Sequence, residues 1–335
     1  MTQYRYRPER LSDFPWKACR KNGRFHNIDG PWVPQWRDVL RWKLSSLRPS
    51  GKGPERIEAS GFQAPVCIDW AALRDPPSER IVATWLGHSS FLLQTGGLTL
   101  LTDPLFGDHC APWPAPGFRR RLPSPFRLEE SPVPDLVILS HSHFDHCDHA
   151  SLQQLPRTTL VCCPLGLGSL IKGWGFPRVV ECGWGDFIEG DFWRLLCLPA
   201  QHASARTLLD RDRSLWCSWL FFSRGRRIFF AGDTGYARFH ADLGRRLAPI
   251  DLALLPIGAY RPSWLQQPLH LNPMEAVRLH LDLGARASLA MHWGTFRLSD
   301  EPWDEPPLLL AEAKELFGVS KEAFRAPNPG ETIIF

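Results

Sequence analysis

The chain has 335 residues, of which 44% are hydrophobic, enough for one large domain with a full core. Its 39 basic and 35 acidic side chains leave a net charge of +4, too mild to point to nucleic acid as a partner. The uncharged residues 158–171 are too short to span a bilayer and are broken by Pro164, Gly166 and Gly168, so an integral membrane protein is not expected.

Residues 1–14 are polar and charged and lack the apolar centre of a secretory signal. The nine cysteines include no C-x-x-C pair and read as reduced thiols of a cytoplasmic protein, with peripheral contact to a membrane left open. Residues 1–80 are rich in Pro, Arg and Trp and weakly periodic, so they read as an extension that wraps a main domain of residues 81–335. Within the extension, residues 36–44 are expected to form a short amphipathic helix with Trp36, Leu40, Lys43 and Leu44 near one stripe. Trp16, Trp32, Trp36 and Trp42 suit packing on the domain, on the partner subunit of a homodimer, or against a membrane.

From Ile81 the pattern turns to strands, at 81–86, 90–94 and 98–101, the last two joined at Gly96-Gly97. Residues 105–134 form a proline-rich, irregular insertion that carries Arg119-Arg120-Arg121 and Arg127. The apolar run 135–140 then leads into His141-Ser142-His143-Phe144-Asp145-His146, and Asp148 caps a short helix through Leu155. Strands follow at 159–163, 178–181 and 192–198, then a hairpin of 215–222 with 227–230, then 252–257 and 287–291. Asn272-Pro273-x-Glu275 starts a helix that runs to about Leu283. Pro306-Pro307 opens the last helix, with Leu309, Ala313, Leu316 and Phe317 on one face and Gly318 at its end.

Three imidazoles and a carboxylate in six positions suit the binding of two metal ions, because neutral imidazole and carboxylate are good ligands for zinc and its neighbours. The alternative is a histidine-rich polar loop. His202, Asp233 and His292 each follow an apolar strand as the motif does, and strand ends on one sheet edge can converge on one cleft.

The order H-x-H-x-D-H, His202, Gly232-Asp233-Thr234-Gly235, His292 resembles the metallo-β-lactamase superfamily, and within it the N-acyl-phosphatidylethanolamine-hydrolysing phospholipase D branch. Trp85-Leu86-Gly87-His88, Thr102-Asp103-Pro104, Pro256-Ile257-Gly258-Ala259-Tyr260 and His292-Trp293-Gly294-Thr295-Phe296 carry the branch resemblance, which covers about residues 80–318. It implies an α/β fold, a four-layer αβ/βα sandwich with an N-terminal extension, and two divalent ions, Zn2+ before Fe or Mn. His141, His143 and His202 would hold one ion and Asp145, His146 and His292 the other, with Asp233 bridging. Gly232 and Gly235 would let the backbone turn closely around Asp233.

Two such ions lower the pKa of a bridging water, so the expected reaction is attack of hydroxide on the phosphorus of an N-acyl phospholipid or related diester. Asp145 and Asp233 are the carboxylates expected to act there, with His270 protonating the leaving alkoxide, although His270 also suits a plain loop before a helix. His88 and Asp103 would orient the ligands. Tyr260 and Trp264 would line the entrance, and Arg119 and Arg120 would draw a phosphate headgroup or an anionic surface. Where the branch carries an aromatic after the histidine, this chain has Ala203, which puts the lipid substrate in doubt. The competing expectations are a lactone or other ester hydrolase on the same metals, and a non-catalytic membrane- or protein-binding module.

Overall fold

The computed structural model describes residues 8–30, 34–46, 66–111, 118–127, 129–207 and 209–335. Trp32 lies outside them, and so do the side chains of Trp36 and Lys43. The strands in chain order are β1 Glu9–Arg10, β2 Cys19–Lys21, β3 Arg24–His26, β4 Val82–Gly87, β5 Ser90–Thr95, β6 Leu98–Thr102, β7 Leu136–Ile138, β8 Leu160–Pro164 and β9 Val179–Cys182, then β10 Asp186–Glu189, β11 Trp193–Leu198, β12 Ser218–Ser223, β13 Arg226–Phe230, β14 Ile250–Pro256, β15 Ala285–Met291, β16 Phe324–Arg325 and β17 Thr332–Ile334. The α-helices are α1 Trp36–Ser46, α2 His149–Gln153, α3 Gly168–Gly173, α4 Phe239–Leu247, α5 Ser263–Gln266, α6 Pro273–Asp282 and α7 Glu305–Phe317.

Two mixed sheets form, ordered β17-β4-β5-β6-β7-β8-β9 and β1-β10-β11-β12-β13-β14-β15-β16. Central strands such as β7 and β8 are buried on both faces, and that is why they read as near-continuous hydrophobic runs. In β4, Ala83 and Trp85 join the core between the sheets, while Val82 and Leu86 face a second core with Leu152 of α2 and Ile171 of α3. Ala276, Val277 and Leu279 of α6 and Leu310 and Ala313 of α7 join the core of the second sheet. The result is helices, sheet, sheet, helices, the expected four-layer sandwich. Gly96 and Gly97 turn β5 into β6 with φ of 62° and 80°, values that favour glycine.

The predicted strand at 215 begins at Ser218 instead. Leu215 N–H donates to Leu165 O and Cys217 N–H to Ser140 O, so these residues bond to the segment beside the first sheet. Helix α7 buries Pro306, Leu310 and Ala313, whereas Leu316 and Phe317, expected on one face with Ala313, are exposed. Helix α1 likewise leaves Leu40 and Leu44 exposed and buries Trp42, whose Nε1–H donates to Asp300 Oδ2 at 2.7 Å. Trp16 packs on Phe14 and Phe239. Phe14 and Phe25 lie in the main core, and β1 pairs with β10. All nine cysteines are free, and among the described residues no helix is long and apolar enough to cross a membrane.

His240, at the start of α4, is fully buried and accepts a hydrogen bond from Ala237 N–H at Nδ1. Burial lowers its pKa to about 3. The unfolded chain takes up a proton here near pH 6.5, but the folded chain does not until about 3. Stability therefore falls as pH drops through that window, by about 1.4 kcal/mol per pH unit from this group. In His240→Gln the urea midpoint should fall less steeply between pH 6.5 and 5 than in the parent. Equal slopes would show that His240 does not contribute.

Candidate metal centre

Each expected ligand follows an apolar strand. His141, His143, Asp145 and His146 follow β7, His202 follows β11, Asp233 follows β13 and His292 follows β15. The two sheets are stitched together here, because His292 N–H donates to His88 O at 3.0 Å just past the ends of β15 and β4. Gly232 makes a close approach possible: its φ is 58°, and a Cβ there would sit 2.5 Å from Ser140 Cβ.

Hydrogen bonds at the far side of three rings, His141, His146 and His202, decide what they turn to the centre. His202 Nδ1 lies 3.0 Å from Leu269 O, an acceptor only, so Nδ1 carries the proton and Nε2 presents a lone pair. Ser140 Oγ donates to Asp103 Oδ2 and so accepts from His141 Nδ1 at 2.9 Å, which leaves His141 Nε2 as a lone pair too. Those nitrogens lie 3.3 Å and 2.8 Å from His143 Nδ1. Three nitrogens turned to one point form a ready cation site, and His141, His143 and His202 could hold one ion.

The second group is carboxylate-rich. His146 Nδ1–H donates to Asp103 Oδ2 at 2.7 Å, so its Nε2 faces Asp233 Oδ2 at 3.2 Å and Asp145 Oδ2 at 3.3 Å. His292 Nε2 is 3.1 Å from Asp233 Oδ2 and 3.7 Å from Asp145 Oδ2. His146 Nε2, His292 Nε2 and Asp233 Oδ1 are buried without a hydrogen bond. A lone pair against a buried carboxylate oxygen requires a proton or a metal ion between them. Without metal the rings take the proton. Burial opposes this, but Asp233 and Asp145 outweigh it, raising His292 to about 9 and His146 well above its usual value. Burial also acts against Asp145 and Asp233, yet His146 and the other rings hold both carboxyls well below their usual range. The donor set therefore fits two divalent cations, with Asp233 between the groups.

His88 is buried, with Nε2 3.1 Å from Asp145 Oδ2, and joins Asp145, His146 and His292 as a fourth possible donor. Asp103 accepts from Ser140 N–H, Ser140 Oγ–H and His146 Nδ1–H. His270 faces the cluster, Nδ1 3.7 Å from Asp233 Oδ2, and burial lowers its pKa to about 4, so it is neutral at pH 7.

The remaining expected residues stand elsewhere. Tyr260 and Trp264 line a surface groove of about 550 Å³ that none of the seven ligand candidates borders. The Tyr260 hydroxyl is tied to Glu305 Oε1 at 2.6 Å. Arg119 is exposed. Arg120 is not a surface charge at all: it is 7% exposed, donates to Gly107 O and Leu105 O, and lies 4.9 Å from the Phe296 ring centroid. The irregular insertion leaves buried carbonyls that need a donor, and Arg120 supplies it. The expectation that it attracts a headgroup is therefore corrected.

Two residues were missed by sequence reasoning. Arg206 donates to Ser142 O at 2.9 Å and Cys147 O at 2.7 Å and stacks 4.0 Å over Phe144, which clamps the motif loop at both ends. Asn27 binds the backbone of His202. The one available signal for Arg206 was its position four residues after His202.

A family model described as a beta-lactamase superfamily domain matches residues 99–293. An uncharacterised protein of Mycobacterium tuberculosis is 38% identical over 325 residues, covering 93% of this chain and 83% of its own. The N-acyl-phosphatidylethanolamine-hydrolyzing phospholipase D 1 of Caenorhabditis elegans is 35% identical over 254 residues, covering 70% of this chain and 71% of its own. The solved structure of an isothiocyanate hydrolase from Delia radicum gut bacteria matches with a TM-score of 0.63 over 76% of this chain and 99% of that one. At 23% identity it is similar in fold alone.

Proposed function

This chain belongs to the beta-lactamase superfamily of metal-dependent hydrolases, and we propose that it acts there as a phosphodiesterase of phospholipase D type on N-acyl-phosphatidylethanolamine or a related phospholipid. The observation that carries this reading is the convergence of His141, His143, His202, Asp145, His146, His292 and Asp233, in a chain similar over most of its length to a phospholipase of that kind.

Two divalent ions, when bound, supply Lewis acidity at the phosphoryl oxygen and make water acidic enough to ionise near neutral pH. The chain's own residues do the rest. Asp233, 2% exposed, faces His146 and His292 of one group and stands 3.8 Å from His202 of the other, and so sets the spacing of the two ligand groups. Asp145 is the more exposed carboxylate, its side chain 16% open. His270, neutral and 13% open, would be the group that protonates the leaving alkoxide. Ala203, buried directly after His202, is smaller than the aromatic the branch carries there, and this departure counts against the lipid substrate.

The test is mass spectrometry of products from vesicles containing N-acyl-phosphatidylethanolamine. The expected products are phosphatidic acid and an N-acylethanolamine, and His143→Ala should lower their rate more than about a hundred-fold. Release of a carboxylate in their place would support the lactone or ester hydrolase. Unchanged rates in His143→Ala and Asp145→Asn would remove the metal hydrolase reading itself.

A further inference from the structure

The N-terminal segment reaches the metal centre through one amide. Asn27 follows β3, and its carboxamide faces the peptide backbone of His202, 175 positions away. Nδ2–H donates to His202 O at 2.9 Å, and Oδ1 accepts from His202 N–H at 3.1 Å. Oδ1 also accepts from Trp216 Nε1–H at 3.0 Å, and the same indole N–H lies 3.0 Å from Ala200 O. Two donors facing the oxygen and one carbonyl facing the nitrogen allow a single orientation of the amide.

The rest of the hairpin seats this contact. Phe25 N–H donates to Asp212 O at 2.7 Å, and the Arg24 guanidinium donates to Arg211 O. Asp212 in turn bonds Ser204 in both directions, N–H to Ser204 O at 2.7 Å and Oδ1 from Ser204 N–H at 3.1 Å. The strand β3 thus docks on the segment that carries His202, and Asn27 holds the peptide of His202 as a neighbouring strand would. The His202 ring is fixed separately, by Leu269 O. Backbone and ring together leave Nε2 aimed at His143.

We propose that Asn27 is a positioning residue of the metal centre, so that the N-terminal segment completes the group formed by His141, His143 and His202. This rests on the two-ion reading of the cluster but not on the identity of the substrate. A ligand whose support is removed loses metal affinity by about 10–100-fold, while the second group, which Asn27 does not touch, keeps its ion.

Asn27→Asp keeps the size and the acceptor but sets an oxygen against His202 O; Asn27→Ala removes both contacts. Phe25→Leu, in the same hairpin, perturbs packing without touching His202. Chelator competition on the metal-loaded proteins, the visible spectrum of their cobalt-substituted forms and the thermal midpoint are measured for all three. Both Asn27 variants should lose one of the two ions about ten-fold or more readily, with a changed cobalt spectrum, and Phe25→Leu should lower the midpoint with parent-like affinity and spectrum. Parent-like metal affinity in both Asn27 variants would make Asn27 a strut of the fold only and overturn the proposal. Equal metal loss in Phe25→Leu would overturn it too, as general loosening. A parent protein that takes up no ions would sink the two-ion reading, and this inference with it.

Discussion

Asp233→Asn should lower hydrolysis at least about a thousand-fold, equivalent to roughly 4 kcal/mol of barrier. The variant is close to isosteric, so the effect is one of charge. In the parent, Oδ2 stands 3.2 Å from His146 Nε2 and 3.1 Å from His292 Nε2, with His270 and His202 at 3.7 and 3.8 Å. A carboxylate brings a full negative charge to the rings of both groups around Oδ2; a carboxamide is neutral and puts an NH2 in the place of one oxygen. The same charge leaves a mark in the metal-free protein. His292 is raised to about 9 because Asp233, and then Asp145, outweigh burial. In Asp233→Asn its pKa must fall, since burial and the neighbouring His146 then meet less opposition. Histidine NMR through a pH titration reads that shift without reference to turnover. Activity within ten-fold of the parent, or an unmoved His292, would remove Asp233 from the centre of the site.

The placement of these ligands was legible because both faces of each sheet are covered. A strand such as β7 is then apolar along its length, and the first polar residues after it mark the sheet edge. Helix α6 was legible for a local reason, since Asn272 and Glu275 form a capping box. What could not be read depends on partners far along the chain. The orientation of α1 is set by Trp42 and Asp300, 258 positions apart, and no periodicity within the helix encodes it. Arg120 looks like surface charge until the carbonyls of Leu105 and Gly107 are seen to need it. Phe25-His26-Asn27 resembles the branch only weakly and carries no ligand spacing, and only the packing of β3 on the His202 segment shows the use of Asn27.

Asp103→Asn should lower metal affinity by about 10–100-fold and global stability by about 3 kcal/mol, although the residue touches neither expected ion directly. Asp103 is fully buried and collects three donors: Ser140 N–H at 2.7 Å on Oδ1, and Ser140 Oγ–H with His146 Nδ1–H at 2.7 Å on Oδ2. Through Ser140 it fixes the proton on His141 Nδ1, and directly it fixes the proton on His146 Nδ1. One carboxylate therefore turns an Nε2 lone pair into each of the two ligand groups. An asparagine keeps the bond to Ser140 N–H with its oxygen but sets an NH2 against two donors, and His146 is free to change tautomer. The backbone is not a confounder, because φ at Asp103 is 29°, a region that Asn tolerates as well as Asp. Ser140→Ala breaks the link to His141 and removes one donor to Asp103 but keeps the His146–Asp103 bond, so it should weaken one ion more than the other, whereas Asp103→Asn weakens both. Chelator titrations resolved for the two ions, beside urea denaturation, make the comparison. If Asp103→Asn and Ser140→Ala release the ions in the same pattern, the shared control of both groups by Asp103 is wrong.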